Sequence, residues 1–246
     1  MISVCMATYN GSKYIEYQLE SILIQLNEGD EIVVVDDAST DNTVQLVENI
    51  KDSRIKLFKN HKNLGVIRSF SKSICLSKGE LIFLSDQDDI WLPGKVDKIV
   101  SVFVNKLDVT LCLTDSKIID DHGTLGNKTY FQLRGGFSSS LLSNIVKNKF
   151  LGCSIAFRSS MVGNILPFPK NIPSHDMWIG LINTIYGKID YIDEPLFLYR
   201  RHSENVSSMS HEKVHTMIKW RLIVIYRLFQ RIFLFSNNKN NKNNKI

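Results

Sequence analysis

Residues 81–91 decide the fold, and they read Leu-Ile-Phe-Leu-Ser-Asp-Gln-Asp-Asp-Ile-Trp. The first four form an apolar run with the length and composition of a buried strand. Three carboxylates follow within four positions, at Asp86, Asp88 and Asp89. An apolar strand that ends in clustered polar residues is typical of a parallel sheet with a ligand site beyond the carboxyl ends of its strands.

Working outward, short apolar runs alternate with helical patterns through the first half of the chain. Strands are predicted over 2–7, 31–35, 55–58, 81–84 and 109–113, and helices over 13–26, 43–50, 66–77 and 95–105. This alternation predicts an α/β fold with a mostly parallel, doubly wound, Rossmann-like sheet. Residues 115–151 indicate loops, and the second half then predicts strands over 152–158, 188–192 and 196–199 and a helix over 175–186.

Polar residues follow three of the predicted strands at the points where the strands end. Thr8 and Tyr9 follow the first strand, Asp36 and Asp37 the second, and residues 86–89 the fourth. Because the carboxyl ends of parallel strands meet at one edge of a sheet, we expect these side chains to lie close together. Any single cluster is also explained by helix capping, for which Ser, Thr, Asp and Asn are favoured.

The acidic cluster at residues 86–89 contains three carboxylates, which repel one another unless they are solvated, bind a cation or face donors. Hard oxygen ligands at a strand end suit Mg²⁺ or Mn²⁺, which often share their coordination shell with substrate phosphates. Such an ion stabilises a diphosphate leaving group as negative charge develops. The alternative is a solvated loop that caps the following helix.

The net charge of +5 is concentrated near the C-terminus. Residues 211–246 contain a single acid, Glu212, among many basic residues, so the body of the chain is not basic and nucleic-acid binding is disfavoured. The four cysteines form no CxxC pair, and we expect four buried thiols in a reducing cytosol rather than a zinc site. The sequence after Met1 has no signal-peptide pattern, which predicts a cytoplasmic location.

Six stretches of the sequence, in this order, carry a family resemblance: 6–11, 33–41, 63–70, 84–91, His-Asp-Met-Trp at 175–178, and Tyr-Arg-Arg-His at 199–202 together with Asn205. The chain resembles the family 2 glycosyltransferases with the GT-A fold, within a rhamnosyltransferase-like subset. The resemblance implies an inverting, metal-dependent transfer of one sugar from a nucleoside-diphosphate sugar to a glycan hydroxyl. It points to dTDP-rhamnose as the donor and to a lipid-linked glycan in bacterial surface polysaccharide synthesis as the acceptor.

The resemblance also implies roles for residues on the donor side. Thr8 and Tyr9 would line the base pocket, partly through backbone groups. Asp36 and Asp37 would hold the pyrimidine or ribose. Arg68 would approach the nucleotide from the following helix. The alternative is that Arg68 is a solvated helix residue without a role in binding.

Further roles follow for residues near the chemistry. Asp86 would contact the ribose or sugar, Asp88 would ligate Mg²⁺ or Mn²⁺, and His202 would reach the metal or diphosphate. Asp89 is expected to cap or position the loop. Asp176 would be the general base that deprotonates the acceptor. The alternative is that Asp176 is the N-cap of the helix that begins there.

The predicted organisation has four parts. A nucleotide-sugar-binding half covers 1–115, an acceptor-binding and catalytic half 116–208, a basic amphipathic helix 209–236 and a disordered tail 237–246. Four basic residues interrupt the apolar C-terminal segment, which argues against a spanning helix. We expect this helix to lie on the inner face of the cytoplasmic membrane, and the alternatives are packing on the body or on another subunit.

Two other function classes fit parts of the pattern. A sugar nucleotidyltransferase would need a glycine-rich phosphate loop after the first strand, where this chain has Ala-Thr-Tyr-Asn-Gly at 7–11. A non-catalytic nucleotide-sugar-binding module would keep the sheet without the chemistry. The carboxylates Asp88 and Asp176 argue against such a module, and a transfer assay would separate the two.

Overall fold

The computed structural model describes residues 1–202 and 214–243 and shows a central sheet with helices on both faces. Its first half is parallel, in the spatial order β3-β2-β1-β4, with β1 (Ile2–Thr8), β2 (Glu31–Asp36), β3 (Ile55–Lys59) and β4 (Leu81–Ser85). β2 is buried along its whole length, which suits its run of three valines. The α/β fold predicted from the sequence is confirmed.

The second half of the sheet is mixed. It contains β5 (Ile90–Trp91), β6 (Leu111–Ile119), β7 (Leu125–Thr129), β8 (Ile155–Arg158) and β9 (Ile189–Arg200), and the full order is β3-β2-β1-β4-β8-β6-β9-β5 with β7 beside β6. β8 runs antiparallel to β4 and β6, whereas β9 runs parallel to β6. The short β5 directly follows the acidic cluster and pairs with β9, Ile90 facing Leu198. This pairing brings the end of β9 to the cluster.

Helices cover the two faces of the sheet and bury their apolar stripes there. The structure describes α1 (Ile15–Leu23), α2 (Thr43–Asn49), α3 (Val66–Leu76), α4 (Lys95–Asn105), α5 (Tyr130–Arg134), α6 (Leu141–Val146), α7 (Val162–Ile165), α8 (His175–Tyr186) and α9 (Val214–Asn243). α1, α2 and α4 contribute to the core on one face, and α3, α8 and α9 to the core on the other. Each fully buried aliphatic or aromatic side chain stabilises the fold by about 1.5–3 kcal/mol.

Several elements differ from the sequence prediction. The two strands predicted over 188–192 and 196–199 form one strand, β9, whose register against β6 shifts between Ile192 and Pro195. A β-bulge accommodates the proline, which has no N–H to donate. The strand predicted from residue 152 begins with a 3₁₀ turn, Gly152–Ser154. The region 115–151, which was expected to form loops, contains most of β6 and all of β7, α5 and α6. The last three elements are too short to show a periodic sequence pattern.

The cysteines and the C-terminal segment also refine the prediction. Cys5, Cys112 and Cys153 are buried thiols, but Cys75 is exposed because its neighbour Ile74 takes the inward position on α3. α9 continues to Asn243, beyond residue 236, and contains no glycine or proline that would end it. Asn205 and residues 244–246 of the predicted tail lie outside the described residues. In the described ranges, every helix is too short or too polar to cross a membrane.

Candidate functional site

The carboxyl ends of β1, β2 and β4 meet at one edge of the sheet, so the three polar clusters lie together. The hydroxyl of Thr8 donates to Asp36 Oδ1 at 3.1 Å across the two strand ends. Asp36 also accepts from the backbone N–H of Ser39 at 3.0 Å and from the Ser39 hydroxyl. The Asp36 carboxylate therefore shapes the turn after β2, in which Ala38 has a φ of 64°.

The Asp37 carboxylate holds a second loop at this edge. It accepts from the backbone N–H groups of Leu64 at 2.9 Å and Gly65 at 2.7 Å, and from Asn60 Nδ2 at 2.8 Å. Burial raises the pKa of Asp37, but these hydrogen bonds outweigh it and hold the pKa below its ordinary value. The loop leads directly into α3, and Asp37 therefore places the first turn of that helix beside the site.

Arg68 lies in that first turn with its side chain exposed. Within residues 1–202 and 214–243, its guanidinium makes no hydrogen bond or ion pair with another side chain. Arg68 thus lies near the edge where the strand ends meet, without contact to the other predicted site residues.

Gln87, in the middle of the acidic cluster, connects β4 to β1. Its side-chain amide pairs with the backbone of Tyr9, accepting from the N–H at 2.8 Å and donating to the carbonyl at 3.1 Å. A side chain at Gly11 would meet this amide, since a Cβ there would lie 2.4 Å from Gln87 Oε1. The Tyr9 ring is 44% exposed at the mouth of the site.

The three aspartates of the cluster have different surroundings. Asp88 Oδ2 lies 2.8 Å from His202 Nε2, at the end of β9. Asp89 is 1% exposed and accepts from the backbone N–H of Arg200 at 3.0 Å, while its Oδ2 has no hydrogen-bond partner among the described residues. Asp86, Asp89 and the Cys153 thiol have ligand atoms within 4.8 Å of one another.

Electrostatic repulsion is strong in this cluster. Burial, followed by the charges of Asp88 and Asp176, raises the pKa of Asp86 to about 7. Burial and the charges of Asp88 and Asp86 raise the pKa of Asp89 well above its usual range. A nearby cation stabilises the ionised form of carboxyl groups whose pKa is raised in this way.

Lys95 supplies one such cation from the interior. It is 1% exposed, donates to the Cys153 carbonyl at 2.8 Å and lies over the rings of Trp91 and Phe197 at 4.4 and 4.2 Å. Burial lowers the pKa of Lys95 to about 8, while the negative charges of the cluster oppose that shift. Sequence reasoning missed Lys95 because a lysine at a helix start is normally solvated.

Arg200 is the second residue that sequence reasoning missed. Its Nε donates to the Asp88 carbonyl at 2.9 Å, and its Nη1 donates to the carbonyls of Asp120 and Asp121 at 3.2 and 3.4 Å. The guanidinium also lies 4.8 Å from the centre of the Tyr14 ring. Arg200 thus joins β9, the acidic cluster and the loop after β6, and its sequence signal was its place in the Tyr-Arg-Arg-His motif at 199–202.

Asp176 lies close to the same cluster. It is the second residue of α8, whose N-cap position is taken by Ser174, so the alternative of an N-cap role is wrong. A Cβ added at Gly152 would lie 3.6 Å from Asp176 Cβ, and the next residue, Cys153, belongs to the acidic group. The charge of Asp176 accordingly contributes to the raised pKa of Asp86.

The residues beside Asp176 are held by packing. His175 stacks on Phe70 with ring centres 4.1 Å apart, and burial lowers its pKa although Asp176 opposes the shift. Trp178 is 1% exposed and its Nε1 donates to the Ile165 carbonyl at 3.0 Å. The ring of Trp178 is therefore part of the core.

The residues present fit a divalent cation at the open side of the cluster. Asp88 offers a carboxylate oxygen and His202 an imidazole nitrogen, and a cation there would relieve the repulsion that raises the pKa of Asp86. The deeper group of Asp86, Asp89 and Cys153 fits less well. Burial raises the pKa of the Cys153 thiol, which keeps it protonated, and Lys95 already supplies a positive charge there.

Comparison with known proteins identifies the family. Residues 3–163 match the profile described as "Glycosyl transferase family 2". The chain belongs to this family. It is a family of transferase enzymes, and the match covers the carboxyl ends of β1 and β2 and the acidic cluster but ends before Asp176 and Arg200.

Relatives in sequence extend the similarity to most of the chain. An uncharacterized glycosyltransferase of Nostoc sp. is 29% identical over 225 residues, which cover 83% of this chain and 66% of the relative. A UDP-Glc:alpha-D-GlcNAc-diphosphoundecaprenol beta-1,3-glucosyltransferase of Escherichia coli is 26% identical over 183 residues, covering 74% of this chain and 70% of that one.

Solved structures share the fold. TarS of S. aureus in complex with UDP-GlcNAc superposes with a TM-score of 0.71 at 21% identity, over 91% of this chain and 66% of that one. The mannosyltransferase PcManGT of Pyrobaculum calidifontis, in complex with GDP-Man and Mn²⁺, superposes with a TM-score of 0.60 at 18% identity. The superposition covers 83% of this chain and 58% of that one. The chain thus spans about two thirds of the length of its first relatives in sequence and structure.

Proposed function

We propose that this chain is an inverting glycosyltransferase that moves one sugar from a nucleoside-diphosphate sugar to a hydroxyl of a glycan. The observation that supports the proposal is the proximity of Asp176 to the acidic cluster: it lies beside Gly152, next to Cys153, and its charge contributes to the raised pKa of Asp86. Inverting transfer needs a carboxylate for the acceptor proton on the side away from the leaving group. The cluster at the end of β4 serves the donor, and Asp176 serves the acceptor.

Donor binding in this proposal uses the edge formed by β1, β2 and α3. The backbone of Tyr9, fixed by Gln87, lines the base pocket together with Thr8. Asp36 and Asp37 act mainly by holding the two loops that surround the base, since their oxygens already accept hydrogen bonds from the chain. Their remaining lone pairs are the ones available to the base or ribose.

Arg68 approaches the nucleotide from the start of α3, where its exposed side chain is available to a ligand. Asp86 contacts the ribose or sugar from the end of β4. Both roles follow from position at the sheet edge, and donor-affinity measurements on Arg68→Gln and Asp86→Asn variants test them.

A divalent cation, Mg²⁺ or Mn²⁺, would be held by Asp88 and His202. When bound, such an ion neutralises negative charge on a leaving diphosphate. The relationship to a mannosyltransferase solved with Mn²⁺ supports the choice of ion. The chain's own contribution is to hold the two ligand groups together, because Arg200 fixes the Asp88 carbonyl and the strand that carries His202.

The proposed step moves one proton and exchanges one bond. The acceptor oxygen bonds to the anomeric carbon as the bond from that carbon to the diphosphate oxygen breaks, and the hydroxyl proton passes to the Asp176 carboxylate. Asp176 lies in the first turn of α8, and its Oδ1 accepts a hydrogen bond from the Met177 N–H at 2.6 Å, which orients the carboxylate.

Donor and acceptor identity belong to the same proposal. dTDP-rhamnose is the donor that the sequence resemblance suggested, whereas the E. coli relative uses UDP-Glc and the TarS structure holds UDP-GlcNAc. The relative's undecaprenol-linked acceptor supports a lipid-linked glycan as the acceptor here. Thermal stabilisation and hydrolysis measured with a panel of dTDP-, UDP- and GDP-sugars would identify the donor.

The decisive experiment replaces Asp176 by Asn, which keeps the shape and removes the base. The variant is expected to bind the donor normally and to lose transfer by roughly 10²–10⁴-fold. Asp97→Asn is the matched control, since Asp97 also lies in the first turn of a helix, α4, at the other end of the sheet. Near-normal transfer by Asp176→Asn would overturn the assignment of the base.

The alternatives give different outcomes in the same assays. Family membership decides against the sugar nucleotidyltransferase, which forms a nucleotide sugar rather than consuming one. A non-catalytic module would bind a nucleotide sugar but would show neither hydrolysis nor transfer with any acceptor. The proposal therefore requires turnover that depends on Asp176.

A further inference from the structure

α9 packs on the body of the protein through one face. Val224 and Leu228 are buried there, at 1% and 4% exposure. Arg221 donates to the Val146 carbonyl through Nη2 at 2.6 Å, and Arg231 donates to the Asn164 carbonyl at 2.9 Å. Arg231 is thus turned towards the body, where it also lies over the Trp178 ring.

The opposite face of α9 is apolar and exposed. Its side chains recur at intervals of three or four residues and form a single stripe, with exposed fractions of 50%, 62%, 58%, 69% and 66% for Ile218, Leu222, Tyr226, Phe229 and Phe233. A soluble helix that already packs through one face normally carries polar residues on the other. α6, which contacts α9, exposes Leu142 and Val146 as well, so the apolar surface extends beyond the helix.

Within the described residues, the charged side chains on the two segments that form this surface are all basic. α9 contains no Asp or Glu, and neither does the sequence from residue 122 to residue 175, which supplies α6, α7 and the carbonyls that bind Arg221 and Arg231. Lys147, Lys170 and Lys219 are exposed on these segments. Two segments that are distant in sequence therefore meet in a surface without carboxylates.

We propose that this surface, formed by the outward stripe of α9 and the acid-free segments beside it, lies on a lipid bilayer with anionic headgroups. Apolar side chains flanked by lysines are what an interfacial helix presents to such a bilayer. A second copy fits less well, because a two-fold contact would bring the same basic surface against itself. In this orientation the apolar stripe faces the lipid, while Arg221 and Arg231 bind the body.

The inference is independent of the transferase proposal, because vesicle binding needs neither donor nor acceptor. The test is co-flotation of the full chain with vesicles of phosphatidylcholine, with and without phosphatidylglycerol. The chain is expected to float with the anionic vesicles, and increasing salt is expected to weaken this binding. Failure to float with anionic vesicles would overturn the proposal, even if transfer activity is intact.

Two sets of variants locate the surface. The triple variant Leu222→Ser, Phe229→Ser and Phe233→Ser is expected to weaken vesicle binding by about tenfold or more, since it removes apolar area that would enter the interface. The matched control is Val104→Ser with Leu107→Ser, which are 66% and 80% exposed elsewhere on the protein. Equal flotation of both sets would contradict the proposal.

The charge contribution is measured with Lys147→Gln and Lys219→Gln, which are expected to weaken binding to anionic vesicles only. Light scattering without lipid tests whether a second copy of the chain, rather than a bilayer, covers this surface. A monomer supports the bilayer assignment, whereas a dimer that the triple serine variant dissociates would show that the stripe joins two copies and would overturn it.

Discussion

His202 Nε2 lies 2.8 Å from Asp88 Oδ2. This contact joins the chain just after β9 to the acidic cluster, which lies 114 positions earlier in the sequence. A long-range contact of this kind between an imidazole and a carboxylate brings together two types of metal ligand. Each of them sits on a strand end that Arg200 holds in place.

Removing one of these ligands should abolish metal-linked stabilisation. Excess Mn²⁺ is expected to raise the melting temperature of the unaltered chain, since a ligand at 100 times its Kd contributes about 2.7 kcal/mol. Asp88→Asn should lose most of that gain, and Asp97→Asn should keep it. Differential scanning fluorimetry with and without Mn²⁺ makes the comparison, and an equal gain in Asp88→Asn would refute the metal assignment.

Arg200→Lys should impair both activity and stability. Lysine keeps the charge but cannot donate in the two directions that reach the carbonyls of Asp88 and Asp120. We expect a loss of roughly 1–3 kcal/mol in the free energy of unfolding. The displaced cluster should lower turnover by up to about 10²-fold. Urea denaturation and a transfer assay measure these effects.

Arg134→Lys is the control for that variant, because Arg134 is exposed and lies over the Tyr130 ring, a contact that a lysine can also make. It should change neither quantity appreciably. If Arg200→Lys behaved like Arg134→Lys, the positioning role of Arg200 would be untenable.

Gly11→Ala should affect donor binding more than stability. The added Cβ would lie 2.4 Å from Gln87 Oε1, and the flexible Gln87 side chain can move away, but only by giving up its amide pairing with Tyr9. We expect an unfolding free energy within about 1 kcal/mol of the unaltered chain and a raised KM for the donor.

Gly163→Ala is the matched control, since nothing lies within 4 Å of a Cβ at that position. It should leave KM unchanged and stabilise α7 slightly, by up to about 1 kcal/mol. Unchanged donor KM in Gly11→Ala would mean that the Gln87–Tyr9 pairing does not shape the base pocket.

Asp37→Asn tests the loop that precedes α3. The pKa of Asp37 is lowered from its ordinary value of 3.8, so its stabilisation is present above that pH and is lost as pH falls through the lowered value. Asparagine can accept with one atom only, which leaves one of the N–H groups of Leu64 and Gly65 without its acceptor.

We therefore expect Asp37→Asn to cost about 1–3 kcal/mol at neutral pH. The difference from the unaltered chain should shrink below the ordinary pKa of 3.8, as the native carboxyl takes up its proton. Urea denaturation at several pH values measures it, with Glu20→Gln, an exposed change on α1, as the control. A difference that stays constant with pH would argue against an ionised, hydrogen-bonded Asp37.

The parallel half of the fold could be predicted because its signals are local. β2 is an uninterrupted apolar strand, and α3 aligns Phe70 with Ile74 at helical spacing. β5 could not be predicted, since two residues carry no periodicity. β9 was predicted as two strands, where the chain forms one strand with a register shift between Ile192 and Pro195.

Residue types in the sequence predicted where the candidate site residues lie better than they predicted what each residue does. The convergence of strand ends followed from topology, but a carboxylate can bind a ligand or hold a loop, and Asp36 and Asp37 are seen holding loops. Asp89 was given the smallest part in the sequence interpretation, yet it is among the most buried carboxylates described. Burial of this kind depends on β9, whose approach no local pattern encodes.

The pairing of β5 with β9 has a practical consequence for dividing the chain. A fragment cut at residue 163, where the family match ends, would keep the loops around Tyr9, Asp37 and Gln87 but would lack Asp176, Arg200 and His202. β6 would also lose its parallel neighbour and expose a new edge. The match to the family profile therefore ends before the residues that approach the acidic cluster from the second half of the chain.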